Sequence, residues 1–99
     1  MPTEMKLKPG NQLTLTEAGD FNYQPRTDDA NKAELYFKNP NCSKRKGQVC
    51  TILICLGAPQ EPFHGWDGNL EKPTVTPSIG CESRGCVFHG HIIKGLIHP

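Results

Sequence analysis

The sequence predicts a small all-β domain, built of antiparallel hairpins joined by long irregular loops. Three observations lead there. No apolar repeat of 3.6 residues persists along the 99 residues, so no amphipathic helix is expected. Short runs rich in β-branched and aromatic residues recur instead, at residues 33–38, 49–56 and 87–98. Between them, ten glycines and nine prolines interrupt the backbone, which suits turns and short strands.

Taken in order, residues 1–12 are polar and hold Pro2, Pro9 and Gly10, which predicts a flexible N-terminal arm before a single β domain over residues 13–99. Leu13-Thr14-Leu15-Thr16 alternates as a short strand would. Across residues 17–32 the turn formers Gly19, Asp20, Asn22, Pro25, Asp28, Asp29 and Asn31 crowd together, and only Phe21 and Tyr23 offer burial. A loop is expected, with one helical turn near residues 30–34. Residues 33–38 then form a strand that stops at Asn39-Pro40-Asn41, and residues 49–56 pair with it as a hairpin whose connection carries Cys42. Because side chains alternate along a strand, Cys50 and Cys55 should face opposite sides of the sheet. Gly57, Pro59, Pro62, Gly65, Gly68 and Pro73 make residues 57–73 an irregular excursion, anchored by Trp66. Residues 87–93 and 96–98 close the chain as a hairpin, with Gly95 free to take positive φ.

A chain of this length hides only about 60 to 70% of the surface its unfolded form exposes, and hydrophobic residues are 35% of the total. The core is therefore thin, and a bound metal or partner would help it fold. Eleven basic and ten acidic side chains give a net charge of +1, with no field to steer nucleic acid or a bilayer surface. The cluster Lys44-Arg45-Lys46 reads as a solvated turn. No apolar run approaches the roughly 18 to 20 residues of a membrane span, and Met1-Pro2-Thr3-Glu4 does not open a secretory signal. The expected location is the cytoplasm. Five cysteines, an odd number, then favour reduced thiols and metal binding over a disulfide frame.

The chemistry is concentrated in residues 74–98. Cys86 and His89 stand three apart and are followed by Gly90, a knuckle spacing that would turn a thiolate and an imidazole toward one cation. With Cys42 and Cys50 they make four donors for a structural zinc, Cys81 being a substitute ligand. This adds zinc-ribbon or Rieske-like knuckles to the expected fold. Cys86-Val87-Phe88-His89-Gly90 also resembles the second ligand box of Rieske iron–sulfur domains. The first box, Cys-x-His, has no counterpart: Lys44, Ile52, Gly57 and Ser83 stand two positions after the other cysteines.

Trp66-Asp67-Gly68, then Pro73-Thr74-Val75-Thr76-Pro77-Ser78-Ile79, then Cys86-x-x-His89 and Gly95 together resemble a family of small phage and prophage proteins, some of them labelled ammonia-monooxygenase-like. Relatives carry a Cys-Pro-x-Cys knuckle, which falls here on Asn39-Pro40-Asn41-Cys42, and a further metal-type residue that falls on Cys50. Asn39 stands where the first cysteine would be. Some relatives sit beside bacterial ubiquitin-like conjugation genes, and the resemblance implies a serine peptidase acting on the modifier. In that reading Ser78 is the nucleophile and His89 its general base, with Asp67 or Glu71 as orienting carboxylate and Gly80 freeing backbone N–H groups for an oxyanion. His91 or His98 are alternative bases. The plainer use of Pro-Ser-Ile is a turn capped by the hydroxyl.

Three functions are thus expected in order. The first is a zinc-binding interaction module for a host or phage protein. The second is a serine hydrolase acting through Ser78 and His89 on a ubiquitin-like or other protein substrate. The third is a Rieske-like electron carrier. One imidazole nitrogen cannot both bind zinc and take a proton, so the direction in which His89 points separates the first two.

Overall fold

The computed structural model describes residues 2–40, 49–83 and 86–99, the side chains of Gln12, Glu82, Ser83 and Cys86 excepted. Its strands are β1 (Thr3–Glu4), β2 (Lys6–Leu7), β3 (Asp20–Pro25), β4 (Lys32–Phe37), β5 (Cys50–Leu56), β6 (His64–Trp66), β7 (Val75–Ser83), β8 (Cys86–Ile93) and β9 (Leu96–His98). They form one sheet in the order β1-β9-β8-β7-β6-β5-β4-β3-β2. Among the described residues there is no α-helix, and none is long and apolar enough to cross a membrane.

The two edges of this sheet are consecutive in the chain, with Met5 alone between β1 and β2. The sheet therefore curls until both edges meet on the N-terminal segment, giving a nearly closed barrel. β1 runs antiparallel to β9, with Thr3 opposite Ile97, while β2 runs parallel to β3, with Lys6 opposite Asp20. Met5 is buried, its N–H donates to the Gly95 carbonyl at 2.9 Å, and the Lys6 N–H donates to Gly19 at 2.9 Å. Closure of this kind leaves few unpaired strand edges. Within the segment expected as an arm, Thr3–Glu4 and Lys6–Leu7 are thus strands; two-residue strands carry no readable alternation, and only pairing with distant strands defines them.

Two further local expectations change. Leu13 and Thr14 belong to a 3-10 turn over Gln12–Thr14, not to a strand, because Asn11 holds it: the Leu13 N–H donates to Asn11 Oδ1 at 2.8 Å and the Thr14 N–H to the Asn11 carbonyl at 3.1 Å. The segment read as loop contains β3, whose turn-forming residues are used as ties. Buried Asp20 accepts the N–H groups of Thr16 and Glu17 on Oδ2 at 3.1 and 3.0 Å, and buried Asn22 donates to the carbonyls of Lys8 and Asn11 at 3.2 and 2.9 Å. A buried polar group is tolerable when it is bonded in this way.

The core fills the barrel. β4 turns Ala33, Leu35 and Phe37 inward and β5 turns Cys50, Ile52 and Ile54 inward, in the expected hairpin, with Leu35 opposite Ile52. Phe21, Val75, Ile79, Phe88, Ile92 and Ile97 complete the cluster, and Phe37 meets Phe88 edge-on at 6.3 Å. Each such side chain contributes about 1.5–3 kcal/mol when fully buried. Cys55 is buried too, but outside this cluster, its Sγ 3.4 Å from the Ala58 carbonyl. The two cysteines of β5 therefore face opposite sides, as their parity requires.

The β8–β9 hairpin turns at Lys94 and Gly95, both at positive φ (48° and 75°), the conformation that matches strand twist across a two-residue loop. In residues 57–73 only β6 is a named strand. Trp66 packs against Tyr23 with ring centres 5.3 Å apart, and the Tyr23 hydroxyl donates to the Leu70 carbonyl at 3.0 Å. Burial, helped by the charge of Asp67, pushes the Tyr23 phenol well above its usual pKa, so it stays a donor.

Candidate active site

Strand β7 lies between β6 and β8, yet it contains Pro77. Proline has no N–H for a ladder, so an interior strand accommodates it only at an irregularity. The register shows one: Val75 is opposite Ile92 and Ile79 is opposite Gly90, so Thr76, Pro77 and Ser78 on β7 face the single residue His91 on β8. The Thr76–Pro77 peptide is cis. A bulge re-aims the side chains it contains, and here it presents Ser78 on the outer surface, half-buried, while Val75 and Ile79 on either side remain in the core.

Past the bulge, regular pairing resumes with Gly80 opposite His89. Ser78 is two positions from Gly80 and so lies diagonal to His89 on the same face, a separation that a long side chain can cross. The imidazole does cross it: Ser78 Oγ lies 3.3 Å from His89 Nε2. That is longer than a tight hydroxyl hydrogen bond, as is common in catalytic pairs without substrate. Gly80 places no side chain beside the ring, and an ideal Cβ there would stand 3.8 Å from His89 Cδ2. The outer face of the pair is open to an incoming group.

A second imidazole approaches the same serine from the other neighbouring strand. His64, first residue of β6 and half-buried, sets Nε2 3.2 Å from the Ser78 main-chain carbonyl. A carbonyl oxygen only accepts, so this nitrogen carries the proton. His64 falls within residues 57–73, expected as an irregular excursion. A three-residue strand amid glycine and proline leaves no alternation to find, and nothing in the sequence signals this contact.

The other expected site residues are placed as follows. Asp67, considered as an orienting carboxylate, uses Oδ1 to accept the N–H groups of Asn69 and Thr74 at 3.0 and 3.2 Å, so it shapes its own loop. Glu71 is exposed in that loop. His91 and His98 are opposite each other across β8 and β9, while His89 is the imidazole that meets Ser78.

Of the expected zinc ligands, Cys42 lies outside the described residues. Cys86-x-x-His89 is not a knuckle turn: all four residues lie in β8, paired with β7 from Ser83 opposite Cys86 to Gly80 opposite His89. Val87 and Phe88 are strong strand formers, and sheet pairing prevails over the turn. Cys50 and Cys81 are joined in a disulfide, their Cα atoms 5.8 Å apart, so neither offers a thiolate in this form. The expectation of reduced thiols is corrected for this pair, because β5 and β7 bring the two within bridging distance. Among the described residues no group of three or more His, Cys, Asp or Glu side chains is placed to hold a metal.

The barrel and its surface define a small β domain carrying a serine hydroxyl against an imidazole on adjacent strands, the elements of a nucleophile and its base. Residues 13–99 match the BubE family model, described as Bacterial ubiquitination-like system serine protease, and the chain belongs to that family. The match agrees with the likeness to relatives found beside ubiquitin-like conjugation genes. No curated protein and no solved structure matches the chain.

Proposed function

We propose that this protein is a serine hydrolase that cleaves an acyl bond to a ubiquitin-like modifier, with Ser78 as nucleophile and His89 as general base. The observation that carries the reading is the 3.3 Å approach of Ser78 Oγ to His89 Nε2 on the bulged surface of β7. The family's description supports the substrate class.

In this reading His89 takes the hydroxyl proton as Oγ bonds to the substrate carbonyl carbon, whose π electrons move onto oxygen. The tetrahedral species collapses, the C–N bond breaks, and His89 returns the proton to the leaving amine. Water, deprotonated by the same imidazole, then bonds to the acyl carbon, the ester C–O bond to Ser78 breaks, and His89 returns the proton to Oγ. Exposure of the pair beside Gly80 suits an extended polypeptide better than a small enclosed ligand.

A fluorophosphonate probe tests this directly. Ser78 is expected to be labelled in the wild type and unlabelled in Ser78→Ala. His89→Ala should lower the labelling rate by at least about 100-fold, the scale of a lost general base, with its circular dichroism unchanged. Labelling of another serine, or undiminished labelling of His89→Ala, would refute the assignment.

A further inference from the structure

We propose that His64 is a positioning residue for Ser78: its Nε2–H, donated to the Ser78 carbonyl, fixes the bulged peptide so that the hydroxyl faces His89. This rests on the reading of Ser78 and His89 as nucleophile and base.

The argument begins with the ladder between β6 and β7. It pairs Trp66 with Val75 and Gly65 with Thr76, and goes no further. The next residue on β7 is Pro77, which has no N–H with which to continue it. Ser78 therefore leaves the regular ladder at the point where its side chain must be aimed. The contact that replaces the ladder on this side comes from a side chain, the His64 ring, at 3.2 Å. β6 also holds His64 on its other flank, where it is the partner of Ile54 in the parallel pairing with β5, and Ile54 is fully buried in the core. Gly65, the next residue, is buried close against Gly57 and Pro59, and a Cβ there would come within 2.6 Å of the Gly57 carbonyl. His64 thus stands on a backbone that cannot easily move and reaches a backbone that otherwise could.

The role asked of His64 is donation and not proton transfer. Both the neutral Nε2–H tautomer and the imidazolium can donate, so the ring needs no change of state during a reaction cycle. Glutamine, which offers an amide N–H at similar reach and has no basicity, should replace it. Leucine, of comparable bulk but without a donor, should not. A misplacement of about 1 Å in a nucleophile can cost about 100-fold in rate, which sets the expected scale.

The test is the second-order rate of fluorophosphonate labelling at Ser78 in the full chain, with melting temperature recorded for each variant. His64→Leu is expected to lower the rate by about 10- to 100-fold, and His64→Gln to remain within about threefold of wild type, because a donor at the same place satisfies the same carbonyl. Equal rates for His64→Leu and wild type, or equally slow rates for His64→Leu and His64→Gln while wild-type Ser78 is labelled, would overturn the positioning role and leave the Ser78–His89 reading standing. No labelling of wild-type Ser78 would overturn both. Should His64→Leu fail to fold, nitrogen-15 spectra of the wild-type imidazoles decide independently: a protonated Nε2 on His64 in the neutral ring supports the bond, and a bare Nε2 there refutes it.

Discussion

Replacing Gly90 by alanine should cost about 2 kcal/mol of stability, although the change adds a single carbon. Gly90 is buried in β8, one residue beyond His89 and opposite Ile79 of the bulged strand. An ideal Cβ at this position would overlap the His98 carbonyl oxygen of β9 and stand 2.9 Å from Phe88 Cζ. Neither neighbour can yield easily. The Phe88 ring is 2% exposed and packs edge-on to Phe37, while the His98 carbonyl belongs to a backbone paired with β8 on one side and, through Leu96 and Ile97, with β1 on the other. Overpacking by one methyl group typically costs about 1–3 kcal/mol, and a backbone obstacle argues for the upper end. Against it, alanine restricts the unfolded chain and returns about 0.4–1 kcal/mol. The net, about 2 kcal/mol, is a change of about 30-fold in the folding equilibrium, or roughly 8–16 °C in Tm for a domain of this size. Urea unfolding followed by the fluorescence of Trp66, the one tryptophan, measures it. Gly80→Ala is the control, since a Cβ there meets nothing nearer than 3.8 Å, and its stability should stay within about 0.5 kcal/mol of wild type or rise slightly. If Gly90→Ala is equally silent, the tight packing of β8 against β9 described above is wrong.

Two other expectations concern the same strands. The disulfide between Cys50 and Cys81 spans 31 residues, so removing it through Cys50→Ala with Cys81→Ala should lower stability by about 3.7 kcal/mol on the loop-entropy estimate. Urea titrations with and without reductant read the loss, and a wild-type midpoint indifferent to reductant would show that the bond does not hold β5 to β7. Gly80→Phe, in contrast to Gly80→Ala, should cover the face of His89 and lower fluorophosphonate labelling of Ser78 by at least about 10-fold with Tm little changed. Labelling at the wild-type rate would mean that the probe does not approach over Gly80.

Much of the barrel was legible because its central strands obey simple alternation. β4 and β5 place Ala33, Leu35, Phe37, Ile52 and Ile54 on one face, and β8 and β9 announce their turn with Gly95. The strands that escaped the reading do so for identifiable reasons. In β3, Asp20 and Asn22 sit buried where apolar residues are expected, and their bonds to loop backbone are visible only in three dimensions. In β7, Pro77 argues against an interior strand until the bulge is seen. β1 and β2 owe their existence to partners at Ile97 and Asp20, too far away in sequence to be guessed. At the site, Cys86 and His89 lie in a strand where their spacing led us to expect a turn. The meeting of Ser78 with His89 depends on a register shifted by the bulge. Residue types alone did not give that shift, and the pair came into view through the family resemblance.

The stapling of both sheet edges by residues 3–7 bears on the order in which this fold can be completed during synthesis. Thr3 must wait for Ile97, so the ribosome has to deliver every residue between them before the cylinder can shut. Ser78 and His89 come together only on β7 and β8, late in the sequence. A nascent chain arrested before β8 emerges would therefore lack the contact between Ser78 and His89, which forms only once both strands have been made.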